Sequence, residues 1–204
     1  MRGHSFSRHL GVFLFAFAVV WSGRVPGTAP YSALAQSGRS EQAVMPQYDK
    51  SGALMLPSDY RRWVMVGSSL DLSYAETPGQ AGHQMFMHTL MEPTAHKAFV
   101  ETGRFREGTM FALILQGVAD KVMPARSGQF AGEVHGVEMA VKDRGHTPEG
   151  WAYYGFGGMG GAIRPTAMAA PKSNCYSCHS EHAARDNVFL QFYPLLAEAA
   201  GLKK

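Results

Sequence analysis

The chain has only two cysteines in 204 residues, which excludes a disulfide-dense scaffold. Charged residues make up 17% and hydrophobic residues 46%. So little charge excludes a disordered polyelectrolyte and leaves enough apolar side chain for one domain with a sizeable core. No internal repeat occurs, so solenoids and propellers are excluded. Gly157, Gly158, Gly160 and Gly161 form no phosphate-binding pattern and read as a linker. A strong excess of one charge is also missing. The 19 Lys and Arg outnumber the 16 Asp and Glu only through Arg2, Arg8 and Arg24, which lie within residues 1–35, where no acid occurs. The remainder is balanced, which argues against a nucleic-acid partner.

Long apolar runs are lacking too. The longest, Leu10 to Trp21, has about a dozen residues, too few to cross a bilayer comfortably. It follows a basic, polar start of Arg2, His4, Arg8 and His9 and precedes Ala33-Leu34-Ala35. That order reads as a secretory signal at 1–35, cleaved after Ala35, which puts the folded part in the periplasm. An uncleaved anchor is the alternative. Residues 36–50 are small and polar and read as a flexible N-terminus, and 51–204 read as one domain.

Both cysteines fall in Cys175-Tyr176-Ser177-Cys178-His179. This is the C-x-x-C-H attachment signature of c-type haem. Each thiol can add to one porphyrin vinyl group, and His179 follows as the proximal iron ligand. The expected cofactor is one covalently attached haem c. A zinc site completed by His182 is the competing reading. It would pack four ligands into eight residues, where zinc sites draw theirs from two separated pairs. The other side of the iron decides function: a protein ligand makes an electron carrier, an open position allows gas binding or catalysis. His182 is too near in sequence to reach that side. Met85, Met87, Met110, Met123, Met139, Met159 and Met168 are available upstream, as are His83, His88, His96 and His135. The residues alone leave coordination open.

The pattern along the chain predicts an α+β fold, β-rich and antiparallel, with a mid-chain helix and C-terminal helices carrying the haem motif. Val64 to Gly67 and Met85 to Leu90 read as strands. Pro93 to Thr102 reads as a helix, with Pro93 at its start and Gly103 at its stop. Thr109 to Val118 is the clearest strand. Phe111, Leu113 and Leu115 share one face and Met110, Ala112 and Ile114 the other, so it should be central and covered on both sides. Asp120 to Gly132 reads as a turn-rich connection, Val137 to Val141 and Trp151 to Phe156 as strands, and Gly157 to Pro171 as a long loop. Asn174 and Asp186 are expected helix caps, the latter for a last helix with Val188, Phe189, Phe192 and Leu196 inward. Pro194 is expected to kink or end that helix.

From Leu54 to Leu196 the chain resembles the cytochrome P-460 family, which includes the cytochromes c-prime-beta. The resemblance rests on Leu56-Pro57-Ser58-Asp59-Tyr60-Arg61-Arg62-Trp63-Val64-Met65-Val66-Gly67, Thr102-Gly103-Arg104-Phe105-Arg106-Glu107-Gly108, Gly136-Val137-Glu138-Met139-Ala140-Val141-Lys142-Asp143, Gly150-Trp151-Ala152-Tyr153-Tyr154, and the run from Cys175 through Phe189 to Leu195. It implies a β-rich, periplasmic, mono-haem homodimer with a five-coordinate or water-bound iron. Hydroxylamine-oxidising members carry a lysine joined covalently to the porphyrin, on the strand after the Phe-x-x-Gly turn. The matching position here is Leu113, and Thr109 to Val118 contains no lysine. The resemblance therefore points to the c-prime-beta branch, with an apolar distal pocket for nitric oxide or a similar small ligand. Phe111, Leu113 and Leu115 are the expected wall, a face without a proton donor, and Phe86 and Phe111 are candidates to cap the iron. Glu138 matches the family's distal carboxylate and could act as a general base. It keeps hydroxylamine or nitric oxide oxidation open as the enzymatic alternative. A six-coordinate electron-transfer cytochrome, with a redox partner protein, is the third reading.

Overall fold

A computed structural model describes residues 43–74, 84–158 and 161–201. The expected signal at 1–35 lies outside them. The element order is β1 (Leu54–Met55), a 3-10 turn at Tyr60–Arg62, β2 (Val64–Leu70), β3 (Met85–Met91), α1 (Pro93–Thr102), β4 (Met110–Asp120), β5 (Gln129–Lys142), β6 (Trp151–Gly158), β7 (Thr166–Ala167), α2 (Tyr176–His182), a 3-10 turn at Leu190–Phe192, and α3 (Pro194–Ala199). Strands β2 to β6 form one five-stranded sheet in sequence order, and β1 pairs with β7 in a two-stranded sheet. All the pairings are antiparallel. The architecture is α+β, as expected, and β4 is the central strand of its sheet. Among the described residues no helix is long and apolar enough to cross a membrane.

The alternation read in β4 sorts two cores onto the two faces of the sheet. Ala112 aligns with Leu90 and Met139, which aligns with Tyr154; Ile114 aligns with Val137. These side chains bury against Leu54, Tyr60, Trp63, Phe156 and Ala167 from the N-terminal segment and the β6–β7 region. On the opposite face Phe111 aligns with Met91 and Ala140. Here the cover is α1, the turn after it and the C-terminal segment, through Ala95, Phe99, Phe105, Val188, Leu190 and Leu196.

Helix α1 has the expected bounds. Pro93 occupies its first turn and Gly103 closes it in the left-handed conformation. Glu92, one residue earlier, is its N-cap and accepts from the Thr94 and Ala95 amides at 3.1 and 2.7 Å. Glu92 is 1% exposed and is neutralised by Arg106 at 3.0 Å. That pair ties the start of α1 to the turn before β4.

Four local expectations are corrected. β5 begins at Gln129, inside the segment read as a connection, because Gln129, Phe130 and Ala131 pair with Asp120, Ala119 and Val118. The loop from Gly157 contains β7, whose two residues pair with β1. Asn174 does not cap α2: Cys175 holds that position, with no side-chain cap bond. The last helix is α3, which Pro194 starts rather than ends. A proline lacks only an amide that a first turn leaves unpaired anyway.

Tyr193, the N-cap of α3, sets its ring against β2 at Gly67. A Cβ at Gly67 would enter the space of the Tyr193 ring. Gly67→Ala should therefore lose about 1–3 kcal/mol of stability, read from the denaturant midpoint. An unchanged midpoint would show that Tyr193 is not seated there.

Candidate functional site

The C-terminal segment returns to the Phe111 face of the sheet. Cys175 and Tyr176 pack against the core on that side. α2 is short, and the His179 amide bonds back to the Cys175 carbonyl at 3.0 Å, which places the motif's histidine one turn beyond its first thiol. Both thiols are free and half-buried. Burial pushes the Cys175 thiol upward, with Glu138 and Cys178 adding to the rise.

His179 is fixed from three directions. Its ring lies 4.4 Å from Tyr153 on β6 and 4.4 Å from Phe189. Its Nδ1 is 2.8 Å from the Asn187 carbonyl oxygen. A carbonyl only accepts, so Nδ1 carries the proton and Nε2 keeps its lone pair. Burial lowers the His179 pKa, opposed by the bond to Asn187, so the imidazole is neutral near pH 7, the form that ligates metals. The Tyr153 hydroxyl donates to the same Asn187 oxygen at 3.1 Å.

That oxygen belongs to a tight turn that sequence reasoning missed. Asp186 and Asn187 both have positive φ, 46° and 58°, and Arg185 and Val188 pair across them. Asp and Asn tolerate this region better than other side chains. Asp186 was expected to cap a helix. Instead its carboxylate accepts from Lys142 Nζ at 2.5 Å and from Trp151 Nε1 at 3.2 Å. Asp-Asn is a turn dipeptide, and reading it that way was the available signal.

The sheet supplies the rest of the site. Gly67, Thr89, Leu113, Glu138 and Gly155 stand side by side across β2 to β6. Leu113 thus lies between Thr89 and Glu138. Ser69, Met87, Leu115 and Gly136 make the next row on the same face. Glu138 points away from Val137 and Met139, which bury in the opposite core. It is solvent-accessible, yet partial desolvation by the surrounding protein raises its pKa. Tyr74 has its ring 6.1 Å from Phe189, and burial raises its pKa, with Tyr193, Cys178 and Glu138 adding to the rise.

Two expectations change. Phe86 cannot cap the iron from this face. It aligns with Gln116 and Leu70 and stacks on His88 at 5.7 Å, on the other side of the sheet. The wall around Leu113 is also not uniformly apolar. Thr89 donates weakly to the Tyr193 hydroxyl at 3.4 Å, and Glu138 flanks the other edge. Phe111 sits among Phe105, Trp151 and Tyr193, with centroids 5.6, 6.2 and 6.3 Å away. Leu113 and Leu115 are half-buried.

The family model described as Cytochrome P460 matches residues 57–190, well over half of the chain. No curated protein matches. The residues present fit a haem. Two free thiols precede an imidazole with one nitrogen already engaged, and the buried Asn187 side-chain nitrogen has no hydrogen-bond partner among the described residues. The zinc alternative fits less well: among the described residues no group of three or more Cys, His, Asp or Glu could hold a metal ion.

Because its pKa is raised, Glu138 binds its proton more tightly in the folded protein than in the unfolded chain. Its ionisation therefore costs stability as pH climbs above the unfolded value, and costs nothing below it. Glu138→Gln should be more stable than the parent near neutrality and should match it well below the ordinary carboxylate range. Denaturant titrations at the two pH values check this. A gain that persists in acid would rule out the raised pKa as its cause.

Proposed function

The chain belongs to the cytochrome P460 family, and on that premise we propose that it is an exported, homodimeric c-type haem protein that binds nitric oxide or a similar small diatomic ligand. Cys175 and Cys178 would hold the porphyrin through thioether bonds, and His179 Nε2 would ligate its iron. The chemistry a bound haem would supply is a metal centre able to take a small ligand.

The carrying observation is Leu113. It occupies the sheet face that also bears Glu138 and the haem motif, and β4 contains no lysine. A leucine has no nucleophile with which to join a porphyrin, so the modification linked to hydroxylamine oxidation is absent at that position. Its branched side chain offers water no hydrogen bond, and a neutral diatomic needs no charged partner. Leu115, one row along the same face, extends this apolar surface.

Oxidation of hydroxylamine or nitric oxide is the second reading, and Glu138 favours it. A carboxylate whose pKa is raised by its surroundings is suited to take up a substrate proton near neutral pH. That reading also requires an electron acceptor, the redox partner protein. The two readings differ in turnover.

Stopped-flow mixing of the purified protein with hydroxylamine and a chemical electron acceptor should show no sustained turnover. Nitric oxide should bind the reduced protein at one equivalent per chain. Sustained hydroxylamine turnover would reverse the ranking. Cys175→Ser should leave one thioether bond, so that the haem remains attached but the reduced α-band shifts. Cys175→Ser with Cys178→Ser should lose the haem on acid-acetone extraction. Haem retained by the double variant would refute attachment through these thiols.

A further inference from the structure

The Lys142–Asp186 pair stands where β5 ends and β6 begins and has no part in the binding reading above. Lys142 is 6% exposed, and its ammonium has two oxygen partners, Asp186 at 2.5 Å and the Phe105 carbonyl at 3.0 Å. A cation so buried requires such partners. Asp186 also takes the Trp151 indole N–H at 3.2 Å. Lys142 ends β5, Trp151 begins β6, and the two align across the sheet. Asp186 is thereby pinned to neighbouring strand ends by two separate bonds.

The residue after Asp186 is Asn187, whose carbonyl accepts from His179 Nδ1 at 2.8 Å. Both residues are in the left-handed region, a strained arrangement that persists when its surroundings enforce it. The direction of the Asn187 carbonyl is thus fixed by what holds the Asp186 side chain. A hydrogen bond from Nδ1–H to an acceptor raises the basicity of the other imidazole nitrogen, the established way in which outer partners tune a metal ligand.

We propose that Asp186, clamped by Lys142 and Trp151, is a positioning residue that aims the Asn187 carbonyl at His179 and so sets how strongly the axial imidazole donates to the haem iron. The inference rests on His179 being the proximal ligand. It predicts coupling between a charge pair at the strand ends and the electronic state of the iron. Loosening the clamp lengthens the Nδ1–H···O hydrogen bond to Asn187, makes the imidazole a poorer donor to the iron and favours the reduced state.

Asp186→Asn keeps a side chain suited to the turn but removes the charge facing Lys142. Trp151→Phe removes one N–H donor and keeps a ring, a milder change that serves if the first variant does not accumulate as holoprotein. The readouts are the iron–histidine stretching frequency of the reduced protein, by resonance Raman after photolysis of its carbon monoxide adduct, and the midpoint potential. We expect a lower frequency and a more positive potential in Asp186→Asn, with smaller changes of the same sign in Trp151→Phe. A purely structural role would lower the melting temperature and leave both readouts at parental values in every variant that holds haem. That result would overturn the proposal while leaving the haem reading intact. A parent protein showing no iron–histidine band would instead remove the premise, and the proposal with it.

Discussion

The hydrogen bond from His179 Nδ1 to the Asn187 carbonyl is the contact on which the site depends. It fixes the tautomer, leaves Nε2 free and turns the ring between Tyr153 and Phe189. Its geometry follows from a two-residue left-handed turn that is unfavourable by roughly 1–2 kcal/mol per residue in isolation. The contacts of Asp186 with Lys142 and Trp151 offset that cost. These two anchors end and begin adjacent strands, so the orientation of the His179 imidazole is inherited from the register of the sheet.

The sheet also explains why one face carries the chemistry. Alternation along β4 and β5 sends Ile114, Val137 and Met139 into one core and sets Leu113 and Glu138 together on the other side. The C-terminal segment then covers part of that side with Phe189, Leu190 and Tyr193. Helix α1 braces it through Phe99, which stacks on Phe105 at 4.2 Å. Family membership makes the haem cofactor secure. The choice between binding and oxidation is a proposal that turns on one leucine and one carboxylate standing opposite each other.

Much of this was legible in the residues. The continuous apolar run of β4 marked the central strand because both its faces are buried. Pro93 and Gly103 marked the bounds of α1 because each suits one end of a helix and not its middle. The C-x-x-C-H run named the cofactor. What escaped depended on tertiary context. Asp186 looked like a cap, since Asp favours helix starts as well as turns, and only Lys142, 44 residues away in sequence, decides between them. The polar neighbours of Leu113 were hidden because Thr89 and Glu138 come from different strands and meet only through register. Phe86 fell on the wrong face for the same reason, since period two fixes which residues share a face and not which face meets the site. The pairing of β1 with β7 joins segments too short to carry a periodic signal.

The central proposal is that His179 is the single strong protein ligand of the iron, so that Met87, which shares the sheet face of Leu113 and Leu115, does not bind it. The optical spectrum of the purified, reduced protein without added ligand tests this most directly. A high-spin, five-coordinate ferrous spectrum is predicted. A low-spin, six-coordinate spectrum would show that a methionine or histidine occupies the second axial position, and would contradict the account.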